Sequence, residues 1–254
     1  MSTQTSTPSN NFNIGWYQKI NNRKQPWTPI EGCKGDIDPL YMGIIRRILS
    51  IRNLEADVAS WISYLSQSSD DAIPPEILSI LQENILDEVR HEESLDNLVI
   101  AENIVFTPTE LIESVKIQQM WTGLQDSPVV LAGSMESGVF MPLLLMLRTW
   151  GSVSMGVTAR DISGDEGSHA PIHRQVAKDL GLSVSLETRK AVIDTISWII
   201  GDLNVAGTRG NKRRWVQFSL DLLDKGICKE FEDSEVPVML APFENNNLSI
   251  PSYS

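Results

Sequence analysis

Residues 78–98 read LSILQENILDEVRHEESLDNL, and this stretch decides the fold. Leu78, Leu81, Ile85, Glu88, Leu95 and Leu98 recur at steps of three, four or seven, so they fall on one face of a helix, with His91 alongside Glu88. A carboxylate and an imidazole three residues apart on an apolar face invite a search for the same pattern elsewhere. The only other place is Glu166 and His169, again three apart. Two further apolar stripes each carry one carboxylate. Ile44, Ile48, Ile51, Val58, Ile62 and Leu65 flank Glu55; Val129, Val130, Leu131, Val139, Phe140 and Leu143 surround Glu136.

Four helices that each aim a carboxylate inward need a compensating charge, because an unpaired buried carboxylate is costly. The stripes hold no Lys or Arg to provide it, whereas two divalent metals would. The order Glu55, Glu88-x-x-His91, Glu136, Glu166-x-x-His169 is the ligand pattern of a carboxylate-bridged two-metal centre in a four-helix ferritin-like bundle. Ligation by oxygen and two imidazoles suits iron or manganese better than structural zinc. His173, four residues after His169, reads as a surface residue or as outer support for a ligand rather than a ligand.

The rest of the chain is consistent with an all-α fold. Helical patterning covers about 38–67, 75–104, 107–123, 127–151, 152–178, 184–204 and 212–226, and period-two strand patterns are scarce. Residues 1–35 read as an irregular N-terminal arm, 36–234 as the helical two-metal domain, and 235–254 as a flexible C-terminal tail. Pro171 removes an amide inside the Glu166 helix and should kink it. From Ser127 to Leu147 the only charge is Glu136, which by length would allow a membrane span. A mid-span carboxylate is expensive in lipid, and the stretch is read as a buried core helix.

The 254 residues carry a net charge of -12, which argues against nucleic-acid binding. Two cysteines, Cys33 and Cys228, make neither a disulfide framework nor a thiolate metal site, and no apolar leader precedes residue 35, so a cytoplasmic setting is expected. No phosphate-binding Gly-x-x-x-x-Gly-Lys loop is present.

Several short motifs, in order along the chain, resemble those of the small, radical-generating subunit of class I ribonucleotide reductase. Asp165-Glu166-Gly167-Ser168-His169 is similar to that family's Asp-Glu-Gly-Leu-His run. Glu136-Ser-Gly-Val-Phe140 is similar to its Glu-Gly-x-x-Phe segment, and Trp27-Thr-Pro-Ile-Glu31 with Lys34-Gly-Asp36 to its entry into the first helices. The resemblance spans Trp27 to the end of the helix carrying His169.

It implies that Glu55, Glu88 and His91 hold one metal and Glu136, Glu166 and His169 the other, with Glu88 and Glu166 able to bridge. It implies a relay from the site to the surface through His91, Asp165 and Trp27, and a tail tyrosine, Tyr253, that continues it into a separate large catalytic subunit. Each relay residue also has a plainer reading: Trp27 as packing, Asp165 as support for a ligand histidine, and Tyr253 as a tyrosine in a loose tail. A homodimer and activation of O2 are implied as well. The family's usual radical-storing tyrosine, four residues after the first motif's histidine, is replaced here by Leu95. That loss, and Glu rather than Asp as first ligand, resemble the subclass that keeps its oxidising equivalent in a manganese–iron pair; iron-only or manganese-only sites come next. Gly164 stands where the family usually has Arg. The alternative expectation is a ferritin-like oxygenase acting on a small molecule: a hydroxylase, N-oxygenase or aldehyde-deformylating enzyme.

Overall fold

A computed structural model describes residues 12–29, 35–67, 73–201 and 211–225. The described residues form α-helices joined by short connections, with no strand among them. The order is α1 (Ile14–Asn21), α2 (Met42–Ser50), α3 (Leu54–Gln67), α4 (Pro75–Ala101), α5 (Pro108–Thr122), α6 (Pro128–Met135), a π-helical turn (Glu136–Phe140), α7 (Met141–Trp150), α8 (Val153–Asp179), α9 (Leu186–Ile200) and α10 (Asn211–Lys225). The all-α class expected from periodicity is what the chain adopts.

Helix starts follow local chemistry. Proline occupies the first turn of α4, α5 and α6, where a missing amide costs nothing. Thr107 and Glu110 form a reciprocal capping box at α5, and Ser152 and Ser185 cap α8 and α9 through their hydroxyls.

Two departures from the sequence reading bear on the site. The stretch 38–67 is not one helix: it breaks at residues 51–53, directly before Glu55. Arg52 donates to the carbonyl of Leu49, satisfying one of the orphaned acceptors at the end of α2, and pairs with Asp96 of α4. The stretch 127–151 is interrupted by the π turn. Pro142 has no amide to continue the α ladder, and the turn before it widens so that the Met141 amide bonds back five residues to the Glu136 carbonyl. The N-terminal arm, read as irregular, holds α1, which buries Tyr17 and Ile20 against α4 and α8. Tyr17 donates its hydroxyl to Asp179 at 2.7 Å. α8 continues through Pro171 to Asp179.

The site-bearing helices form a closed square in which α3 packs on α4, α4 on α8, α8 on α6 and α6 on α3. α9 and α10 cover the π turn, and α7 lies against α8. The α6–α7 stretch Pro128–Trp150 is long and apolar enough to cross a membrane by length and composition, but 89% of its most apolar window is buried by the chain's own helices. This is the packing expected of a core helix.

Candidate metal centre

The four carboxylates and two histidines singled out by spacing converge at the centre of the square. Glu88, His91, Glu136, Glu166 and His169 have no solvent exposure, and Glu55 is 1% exposed. Two overlapping groups can each surround an ion: Glu55, Glu88, His91 and Glu166, and Glu88, Glu136 and His169. Within each group the ligand atoms lie within 4.8 Å of one another. α3 contributes Glu55 from its first turn, the π turn contributes Glu136, and the two 27-residue helices α4 and α8 contribute a Glu and a His each.

The unsatisfied atoms sort the ligands. Both carboxylate oxygens of Glu88 and of Glu166 are buried without a hydrogen bond, as are Glu55 Oε2, Glu136 Oε1, and the Nδ1 atoms of His91 and His169. Native proteins rarely leave so many buried polar atoms unpartnered in one place. Glu88 and Glu166, with two free oxygens each, suit a bridging role; the other two carboxylates suit terminal ones. His169 Nδ1 approaches Glu88 Oε1 at 2.8 Å and His91 Nδ1 approaches Glu166 Oε1 at 3.2 Å, but neither contact is aligned as a hydrogen bond. Four carboxylates carry four negative charges, which two divalent ions would neutralise. The donor set therefore fits a pair of divalent metals.

The outer faces of both imidazoles are braced across the bundle. His91 Nε2 lies 3.2 Å from Asp165 of α8, and His169 Nε2 lies 3.1 Å from Asp87 of α4. Each Asp-Glu-x-x-His motif thus supplies a carboxylate to the other motif's histidine, which fixes the proton on Nε2 and leaves Nδ1 facing inward. Arg90 joins the two braces, donating to Asp87 at 2.6 Å and to Asp165 at 2.8 Å. Lys24 donates to Asp87 at 2.7 Å and to Asn84 at 2.6 Å. Trp27 donates its indole N–H to Asp165 at 2.7 Å, stacks 6.0 Å from the His91 ring and is capped by the Arg90 guanidinium at 4.7 Å.

Electrostatics divide the carboxylates. Burial, then the neighbouring carboxylates, push Glu136 well above its ordinary range. Burial raises Glu55 and Glu166 too, only partly offset by His91. Glu88 goes the other way: burial is outweighed by His169 and His91, which hold it well below. Burial opposes the charged forms of His91 and His169, but Asp165 and Glu166 raise the first and Asp87 and Glu88 the second. Asp87 and Asp165 are both lowered despite burial, by His169 and Lys24 in one case and by His91, Trp27 and Arg90 in the other.

His173 is not on the surface. It is fully buried on α8, with Nδ1 2.7 Å from Glu136 Oε2. Burial, reinforced by His169, pushes it down to about 3, so it is neutral. The sequence signal for it was its place one turn after His169. Asp87 and Lys24 were missed as supports; the shared Asp-Glu-x-x-His spelling of the two motifs was the available clue to Asp87. Leu95 is buried in the core. Tyr253, Glu31, Lys34, both cysteines and the C-terminal tail lie outside the described residues. Comparison with protein-family models, with curated proteins and with solved structures finds no match.

Proposed function

We propose that this chain is the two-metal, O2-activating small subunit of a class I ribonucleotide reductase, generating the oxidant that a separate large subunit uses to reduce ribonucleoside diphosphates. The observation that carries this reading is the hydrogen-bonded line His91–Asp165–Trp27, which leads from the inner ligands to a partly exposed indole. A two-metal centre working on a molecule bound beside it has no need of such a line. A centre that must exchange an electron and a proton with a distant partner does.

In this reading Glu55, Glu88, Glu166 and His91 would hold one ion and Glu88, Glu136, Glu166 and His169 the other, and the bound ions would supply one-electron redox chemistry with O2. The ferritin-like helices exclude water from the site. Asp165 accepts from Trp27, Arg90 and His91 together, so it stays a carboxylate and keeps the indole N–H pointed at it. Arg90, over the indole face, adds a cation–π contact of about 1 kcal/mol. Leu95, where a storage tyrosine would sit, favours a manganese–iron pair over an iron-only or manganese-only site. A cytoplasmic homodimer, with Tyr253 carrying the line onward into the large subunit, completes the proposal.

The same leucine supports a second reading, a small-molecule oxygenase, since an apolar residue one turn from His91 would serve a substrate pocket as well. One experiment separates them. The protein is loaded with iron and manganese, exposed to O2 and followed by metal analysis and electron paramagnetic resonance. About two metals per chain, with a coupled manganese–iron signal that decays on adding a class I large subunit and ribonucleotide, supports the reductase. Two metals whose oxidised state ignores the large subunit favours the oxygenase, and no metal or a single zinc removes both.

A further inference from the structure

His173 and Gly133 meet behind Glu136. Glu136 heads the π turn, with Oε2 facing His173 Nδ1 at 2.7 Å and Oε1 unpartnered. His173 sits one turn beyond His169 on α8, but it belongs to neither group of converging ligand atoms. It therefore stands behind the carboxylate rather than beside the ions. Gly133 of α6 makes that placement feasible: a Cβ there would lie 3.1 Å from the His173 Cβ, so the histidine occupies the space a side chain would take. Both His173 and Glu136 are fully buried, and their 2.7 Å separation is that of a hydrogen bond.

We propose that His173 is the positioning residue for Glu136, donating Nδ1–H to Oε2 so that only Oε1 faces the second ion. The inference rests on the two-metal reading. It follows from the pattern of free oxygens. The bridging pair, Glu88 and Glu166, keeps both oxygens open, whereas Glu136 has one oxygen occupied by a donor from its own protein. A ligating carboxylate only accepts, so in the 2.7 Å contact the donor would be His173 Nδ1–H. A carboxylate pinned this way would be a one-oxygen ligand of fixed orientation.

The chain has three histidines, so their imidazole nitrogens can be read directly by NMR on histidine-15N protein. Zinc serves as the diamagnetic probe. The expected spectrum has two imidazoles protonated at Nε2 and bound through Nδ1, from His91 and His169, and one protonated at Nδ1 and unbound, from His173. A His173 protonated at Nε2, or bound to zinc, overturns the proposal while leaving the two-metal reading intact. Three histidines indifferent to zinc overturn the two-metal reading and the proposal with it.

Two variants add an independent measurement by manganese titration. His173→Leu should weaken one of the two sites about 10–100-fold, the usual cost of losing an outer hydrogen bond to a ligand, with the other site unchanged. His173→Gln, which retains an amide donor, should recover most of that loss. Two wild-type sites in both variants, or equal weakening of both sites, would count against a positioning role.

Discussion

Glu88 and Glu136 are both fully buried carboxylates facing the same centre, yet their surroundings drive them in opposite directions. Substitution by the isosteric amide should expose the difference. In metal-free protein Glu136→Gln replaces a carboxyl whose charged form burial and its neighbours already oppose, and should leave thermal stability nearly unchanged. Glu88→Gln removes the anion facing two raised imidazoles, and breaking a buried pair costs about 3 kcal/mol or more. Both variants should bind fewer than two metals, so calorimetry of the metal-free forms separates them where metal analysis does not. Trp27→Phe tests the outer line. It keeps an aromatic ring against His91 but removes the N–H to Asp165. On the reductase proposal, metal content should stay at two per chain while large-subunit-dependent turnover is lost; retained turnover would reduce Trp27 to packing.

Among the described glycines, Gly151 in the connection between α7 and α8 has the least room for a side chain. A Cβ on Gly151 would lie 2.5 Å from the Leu147 carbonyl oxygen and 2.8 Å from the Met155 Cβ, both parts of the framework rather than mobile side-chain ends. Gly151→Ala should therefore cost about 2 kcal/mol, as overpacking of a close-packed site does, and lower the melting temperature by about 5 °C. The helices themselves were legible in the sequence because long apolar stripes at helical spacing survive any detail of packing, and the six converging carboxylates and histidines were legible because they interrupt those stripes. The break before Glu55 was not, since Ile51-Arg52-Asn53 contains no helix breaker and the interruption is held by contacts of Arg52 with Leu49 and Asp96. The π turn was equally hidden: Pro142 marks it, but a proline at that position reads as an ordinary helix punctuation mark. For His173 the sequence left a surface place and an outer support open, because it gives no sign of the space that Gly133 leaves for the buried imidazole.

For the whole molecule, the buried centre makes stability depend on protons in a direction that metals should reverse. In metal-free protein His91 and His169 are raised, so the folded state binds protons that the unfolded chain has released above about pH 6.5. Their contribution is complete below that pH and is lost as pH rises through the folded values. Glu88, Asp87 and Asp165 are lowered, so theirs is present above about pH 4 and is lost as the solution is acidified through their folded values. Metal-free protein should melt lower at about pH 8.5 than at about pH 6, and zinc-loaded protein the other way round, because ions displace those protons and bind more tightly as pH rises. Equal melting at both pH values in both forms would contradict the assignment of the centre. The crossed support of the histidines has one more consequence. Asp87 grips the histidine of α8 and Asp165 that of α4, so neither helix can complete its own half of the centre. A slip of a single residue between α4 and α8, about 1.5 Å along the axis, would spoil both grips at once. A misregistered bundle would lose the hydrogen bonds that orient both imidazoles, and any ion it met would be held more weakly than by a correctly docked chain.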